Sequence, residues 1–282
     1  MTGATPPVPP PPPPNEAGAA GPLPDPDRLV LPDAAPRARR ELRVFGAAVE
    51  LVWLPDRAAR QGRPGAQRPA FAADAGARIV AAEAQWRGRG AAVTPNRYPF
   101  ASRHAIVWPD APLRAPDVAF WTLLAELADH RGGTLLLNSV GAAASIARTH
   151  AHWTAETLPF LDQLPESPLA ADWLPRIDGA AFAQKDVPCA LVGVRGAPVA
   201  RAEALAALQT LRLSPAWNAL LTRGAAWLLP RAVETPLPHF PYPLGAAELW
   251  GRWCWLDEAP FAAATGPELE RALCAAGVSS RR

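Results

Sequence analysis

The sequence predicts an α+β fold with an antiparallel sheet, and two observations point there. Strand-like and helix-like stretches follow one another as strand, helix, strand, strand in both halves of the chain, an order that favours antiparallel pairing over a doubly wound parallel sheet. The composition is that of a packed core: 282 residues, 49% hydrophobic and 19% charged, fit a globular protein better than a disordered one. A chain of this size hides roughly three quarters of its extended surface on folding.

The net charge of +2 supplies no global field for nucleic acid or anionic lipid, so neither is an expected partner. Lys185 is the single lysine among 28 basic residues, which reads first as the mark of a GC-rich genome. Cys189, Cys254 and Cys274 are odd in number and widely spaced, so neither a disulfide framework nor a C-x-x-C zinc site is expected. No apolar run reaches the roughly 18 residues of a spanning helix, and no basic head precedes an apolar stretch. A reduced, cytoplasmic setting is the expectation that follows.

The first 36 residues carry 13 of the 35 prolines, with an unbroken run from Pro9 to Pro14. Such a run has fixed φ and no amide donors, and forms a polyproline II rod outside any core. Residues 1–40 are therefore expected to be a disordered leader, with docking to an aromatic-lined groove of a partner as the alternative. The domain is expected to begin near Glu41. From Leu42 to Trp53, Leu42 and Val44 alternate, as do Val49, Leu51 and Trp53, with Gly46 between them; this predicts a first strand with a bulge or turn at the glycine. Residues 55–70 read as a loop. Strands are expected at 77–85, at 91–94, and at 105–108, the last ended by Pro109 and Asp110.

Pro116 to Arg131 is the strongest helix of the first half: Pro116 suits the first position, Asp117 the positive end, and Gly132 the stop. Phe120, Leu123, Leu124 and Leu127 form its apolar face. A buried strand at 134–137 runs into a small-residue loop at 138–145, and a further strand is expected at 151–154. Beyond Pro159, a linker with Pro165, Pro168 and Pro175 leads to a second set: a strand at 189–194, a helix at 202–213, and paired strands at 219–222 and 226–229 around Arg223-Gly224. No residue-level repeat between the halves is visible. Trp250, Trp253 and Trp255 read as core rather than a base-stacking platform, and Arg223 and Arg231 as solvated strand-end charges.

His150-Ala151-His152 is the chemically suggestive segment. Residues i and i+2 of a strand share a face, so two imidazoles stand side by side. The loop before them is built of small residues, which lets an anionic group approach backbone amides and hydroxyls. Imidazole is a competent nucleophile near neutral pH. Alone, H-x-H is also compatible with a metal site lacking its third ligand or with two ordinary strand residues; Glu156 and Asp162 are carboxylates close by in sequence.

The order Thr94-Pro95-Asn96-Arg97-Tyr98-Pro99-Phe100, His104-Ala105-Ile106-Val107, Asn138 with its Gly/Ala/Ser loop, and His150-Ala151-His152 resembles the histidine-triad superfamily. The similarity is to the branch holding galactose-1-phosphate uridylyltransferase and ATP adenylyltransferase (diadenosine tetraphosphate phosphorylase). Trp217-Asn218-Ala219-Leu220-Leu221-Thr222-Arg223, Trp227-Leu228-Leu229-Pro230-Arg231, Leu244-Gly245-Ala246-Ala247 and Gly266-Pro267 resemble the C-terminal portion of the adenylyltransferase proteins. The resemblance covers residues 94–278. It implies a histidine-triad-like fold with two related halves, 41–164 carrying the H-x-H site and 165–282 completing it.

The resemblance implies nucleotidyl transfer through a nucleotidyl-histidine intermediate. His152 matches the nucleophile and His150 the histidine that orients the phosphoryl group. Asn138 and Ser145 match polar positions beside the phosphates, Asn96 a nucleotide contact, and His104 a scaffold position. The donor implied is a diadenosine polyphosphate or nucleotide sugar, and the acceptor inorganic phosphate or a sugar phosphate. No resident cofactor or metal is expected; Mg2+ is admitted only with the nucleotide substrate. Two departures stand out. Thr154 replaces the family's glutamine, and a lost preorganised donor costs about 10²–10³ in rate. The stretch from Ser145 to His150 is about two residues long for the family and contains Arg148, which either supplies charge to a phosphate or faces solvent. Thr154 keeps open a nucleotidyl hydrolase of the same fold, and a nucleotide-binding protein without turnover is the reading from another class.

Overall fold

The alternation around Gly46 folds as a hairpin. β1 (Ala38–Val44) and β2 (Ala47–Trp53) pair antiparallel, and Phe45 and Gly46 between them both take positive φ, 49° and 80°. Two such residues make the tight turn whose twist matches the flanking strands. The structure, a computed structural model, describes residues 21–60, 73–211 and 213–280. The Pro9–Pro14 run and most of the loop expected at 55–70 lie outside those residues.

Residues 21–40, expected to belong to a disordered leader, are ordered against the domain. Leu29 is buried, the Ala34 amide donates to the Ala101 carbonyl, and the His104 amide donates to Pro32. Residues 21–40 therefore pack on the domain, held by backbone bonds that a proline count does not reveal. The expected strand at 77–85 is a helix, α1 (Ala73–Glu83). Ile79 and Val80 are β-branched, but alanine-rich neighbours favour helix and tertiary context decides.

The main sheet has ten strands, all antiparallel: β3 (Trp86–Gly88), β4 (Ala91–Pro95), β5 (Ala105–Pro109), β6 (Thr134–Asn138), β7 (Ala151–Thr154), β8 (Glu166–Pro168), β9 (Ala181–Lys185), β10 (Val192–Arg195), β11 (Ala216–Thr222) and β12 (Ala225–Arg231). Their order is β3-β4-β5-β7-β6-β11-β12-β10-β9-β8. The strand expected from Cys189 begins at Val192; Cys189 forms an isolated bridge with Ser279. Two helices cover one face. α2 (Val118–Arg131) starts two residues later than expected, with Asp117 as its cap accepting from the Phe120 amide at 2.8 Å. α4 (Pro198–Thr210) packs against it. Leu124, Leu127, Leu135, Leu205 and Leu221 fill the layer between.

A second sheet, β1-β2-β13, packs over the other face, in one core with Leu136, Leu220 and Trp227. β13 (Arg252–Trp255) runs parallel to β2, so the ends of the chain share a sheet that straddles the expected division at residue 164. With α3 (Phe160–Gln163), α5 (Ala246–Trp250), α6 (Glu258–Ala263) and α7 (Gly266–Ala276) it encloses a core in which Trp250, Trp253 and Trp255 are buried. These tryptophans are core, as expected.

The topology contains the repeat that the residues conceal. β3-β4-β5-α2-β6-β7 and β8-β9-β10-α4-β11-β12 have the same order, and each half places its strands 1-2-3-5-4 from the edge inward. β6 and β11 meet at the centre with Leu136 opposite Leu220. Leu136 is also opposite His152, and Leu220 opposite Trp227. The pseudo-two-fold axis thus sets Trp227 where the first half has His152, and Gly193 where it has Ile106. A Cβ on Gly193 would stand 2.5 Å from the Trp227 ring, so the indole lies on bare backbone, with Lys185 Nζ 4.5 Å from its centroid. The second half fills with an indole the space that the first keeps for imidazole.

Gly193→Ala is expected to cost of order 1–3 kcal/mol, the usual penalty for overpacking, in chemical denaturation; unchanged stability would contradict the close approach. Glu166 accepts from Arg195 Nε and Nη2 at 2.8 and 2.7 Å and from Lys185 at 2.9 Å. The Arg195 bonds chiefly, against the opposing cost of burial, bring its carboxyl down to about 2. An unfolded glutamate titrates near 4.3, so this group stabilises the fold above that pH and ceases to do so as pH falls toward the folded value. The stability gap between the parent and Glu166→Gln should therefore narrow from about pH 5 to about pH 2; a constant gap would exclude the ion pairs as its source.

Candidate functional site

β7 lies between β5 and β6, with His152 opposite both Ile106 and Leu136. Ala151 and Trp153 face the α2–α4 layer, so His152 faces the other side. His150 immediately precedes the strand, and the two ring centroids are 5.4 Å apart. Both side chains are nearly buried, at 4% and 2% exposure. The His150 ring stacks on Trp108 at 4.9 Å and 28°, and its Nδ1 donates to the Arg148 carbonyl at 2.8 Å. Trp108 is held in turn by its indole N–H on Thr94 Oγ1 at 2.9 Å.

The loop from β4 to β5 closes on itself around a third imidazole. The Asn96 amide donates to the His104 carbonyl at 2.9 Å, and Asn96 Oδ1 accepts from the Tyr98 amide at 3.0 Å, the usual turn-forming use of asparagine. His104 is fully buried. Its Nδ1 accepts from the Phe100 amide at 3.2 Å, and its Nε2 is 3.1 Å from His152 Nδ1. Asn96 Nδ2 is 3.5 Å from the same His152 nitrogen. His104 is thus scaffold, but scaffold in direct contact with the H-x-H pair.

A pocket of about 340 Å³ opens over these groups, at the lower end of the range for small-ligand sites. Asn96, Ser145, His150 and His152 line it together, beside Tyr98, Ile106, Trp108, Ile146 and, from α1, Ile79 and Glu83. Four of the seven residues expected in the site converge there. The other three do not line it. Asn138 Oδ1 accepts from Asn218 Nδ2 and the Ala246 amide, both at 2.8 Å, which ties the two halves. Thr154 Oγ1 donates to the Ser102 carbonyl at 2.8 Å and accepts from the Glu156 amide at 3.2 Å. Arg148 is buried rather than solvated, with its guanidinium on the carbonyls of Pro109 and Asp110. Burial holds its pKa below the usual arginine range, with Asp110 opposing.

Ile79 and Glu83 escaped notice because their segment reads as a strand; four apart on α1, they share one helical face. Trp108 and Ile106 alternate on β5, a signal that was available. Arg231 is a correction as well. It is 1% exposed, and its guanidinium meets Asn218 Oδ1 and the carbonyls of Val233, Glu234, Leu244 and Ala276. Burial chiefly lowers its pKa to about 10, and Glu248 opposes this. Arg223 is exposed as expected.

The charged residues on the pocket wall, Glu83 and Arg97, pair with each other at 2.7 Å. Behind the wall, Arg252 is buried and clasps three elements: Glu50 on β2 at 2.6 Å, Glu156 after β7 at 2.5 Å, and the Phe100 carbonyl at 3.1 Å. Burial would raise the Glu156 carboxyl; the bonds from Arg252 and the Ser102 amide outweigh it and hold the group below the usual carboxylate range. Among the described residues no three His, Cys, Asp or Glu side chains form a metal-ligating cluster, and no helix is long and apolar enough to cross a membrane.

No protein-family model and no curated protein matches the chain. Solved structures do. Yeast Ap4A phosphorylase Apa2 in complex with AMP is similar at a TM-score of 0.66 and 14% identity, over 92% of this chain and 100% of that one. The same yeast enzyme in complex with Ap4A gives 0.62 and 14%, over 88% and 92%. The likeness is one of fold. This chain shares the fold of yeast Ap4A phosphorylase Apa2.

Replacing Arg252 strands two carboxylates. Arg252→Leu is expected to cost about 3–5 kcal/mol, as for other broken buried pairs, read by denaturant titration. A loss below about 1 kcal/mol, as for an exposed pair, would show that the clasp does not hold the Phe100 loop.

Proposed function

We propose that the protein is a nucleotidyltransferase of phosphorylase type, acting on a diadenosine polyphosphate or nucleotide sugar through a nucleotidyl-histidine intermediate on the His150–His152 pair. One observation carries this reading: in a fold shared with Ap4A phosphorylase Apa2, the two imidazoles line one pocket with Asn96 and Ser145. The pocket wall joins apolar side chains suited to a base and ribose, from Ile79, Ile106 and Ile146, to polar groups suited to an α-phosphate. Near-complete enclosure of both rings excludes water and strengthens every hydrogen bond to a developing charge.

In the first half-reaction an imidazole nitrogen bonds to the α-phosphorus while the bond to the bridging oxygen breaks and the leaving group departs with the electron pair. In the second, an oxygen of phosphate or a sugar phosphate attacks the same phosphorus and the N–P bond breaks. A specific observation favours water as an alternative acceptor. The family's glutamine is Thr154 here, and its hydroxyl is committed to Ser102 and Glu156, so it offers no donor in the glutamine's place. That is the hydrolase reading. Binding without turnover is the limiting case.

Incubation of the full chain with α-labelled Ap4A or ADP-glucose tests these readings. An acid-labile, base-stable adduct is expected, with products that include a phosphorolysis product when phosphate is supplied. Changing both imidazoles, His150→Ala with His152→Ala, should lower turnover by on the order of 10⁴–10⁶. Nucleoside monophosphate as the product at all phosphate concentrations would establish the hydrolase. Saturable binding with neither adduct nor product would overturn the enzymatic reading.

A further inference from the structure

Hydrogen bonds around the three clustered imidazoles fix where each carries its proton. A backbone amide can only donate, so the Phe100 N–H, 3.2 Å away, makes His104 Nδ1 an acceptor. A neutral imidazole has one N–H and one lone pair, so the His104 proton is on Nε2. That N–H donates to His152 Nδ1 at 3.1 Å. Asn96 acts in the same sense. With its Oδ1 turned to the Tyr98 amide, its Nδ2 is a donor; it makes no bond to His104 Nε2, itself a donor and 3.0 Å away, so the ring acceptors in its reach are His104 Nδ1 at 3.4 Å and His152 Nδ1 at 3.5 Å. The one acceptor that both donors approach is His152 Nδ1, and neutral His152 therefore carries its own proton on Nε2.

His150 is set the opposite way. The Arg148 carbonyl can only accept, so His150 Nδ1 carries the proton at 2.8 Å and its lone pair is on Nε2. Both rings line the pocket.

We propose that His150 Nε2 is the nucleophile of this site, that His152 Nε2–H holds a non-bridging phosphoryl oxygen, and that His104 is the positioning residue that keeps His152 in that donor form. This rests on the nucleotidyl-histidine reading above and reverses the roles that the resemblance implies for the pair. The His150 Nε2 lone pair forms the bond to phosphorus, and the bond from phosphorus to the bridging oxygen breaks, its electron pair leaving with the departing phosphate anion. The imidazolium formed keeps its Nδ1 proton on the Arg148 carbonyl, which steadies the positive charge, while the Trp108 ring is stacked 4.9 Å from it. His152 donates a hydrogen bond throughout and gives up no proton. When phosphate or water attacks, the electron pair of the N–P bond returns to His150 Nε2.

The test maps the adduct. The full chain is quenched at alkaline pH after brief exposure to Ap4A, cleaved with trypsin, and the peptide 149–176, which holds both histidines, is fragmented by electron transfer. Adenylate on His150 is the expected result. His152→Gln, which keeps an N–H donor, should still form that adduct about 10²–10³ more slowly, and His150→Gln should form none; thermal melts establish that both variants fold. Adenylate on His152 overturns the proposal and leaves the nucleotidyl-histidine reading standing. No adduct on either ring of the unmodified chain overturns both.

Discussion

The placement of protons on the clustered imidazoles depends first on one backbone donor, the Phe100 amide facing His104 Nδ1. That bond decides which nitrogen of His104 holds a proton, and through it which nitrogen of His152 does. The loop carrying Phe100 is held from three sides. Arg252 grips its carbonyl from the C-terminal sheet. The Pro32 carbonyl accepts from His104, and Asp33 Oδ1 from the Arg103 amide at 2.8 Å. The Asn96–His104 backbone bond closes the loop at its base. Residues remote in sequence, from Pro32 to Arg252 on the last strand, thus act on one imidazole proton.

The pseudo-two-fold architecture explains why the site occurs once in a doubled frame. The two halves share strand order and the α2–α4 face, yet the positions related to His152 and Ile106 are Trp227 and Gly193. An indole against a glycine fills the second space and buries a large apolar area. Trp227 shares a core with the sheet β1-β2-β13, whereas α1 packs on β4 and β5 and contributes Ile79 and Glu83 to the pocket.

Much of this was legible in the residues themselves. Elements with strong local punctuation were clear: α2 between Asp117 and Gly132, β5 ended by Pro109, and the β11–β12 hairpin around Arg223-Gly224. The H-x-H face followed from strand geometry. What was missed is tertiary. Asn138, Arg148 and Thr154 sit close to the histidines in sequence, but proximity does not tell which group a side chain meets, and each is spent on scaffold. Arg231 looked solvated because its five acceptors come from residues 218 to 276. α1 was lost to the strand preference of Ile79 and Val80, and with it one wall of the pocket. Trp227 gave no sign of being the counterpart of His152, because only sheet register relates them.

The most direct measurement is the tautomeric state of each ring in the resting protein. Long-range ¹H–¹⁵N spectra of histidine-labelled chain distinguish a protonated from an unprotonated ring nitrogen. The account requires His104 and His152 to carry their protons on Nε2 and His150 on Nδ1. A resting His152 protonated on Nδ1 would contradict it, because the Phe100 amide would then not govern the site.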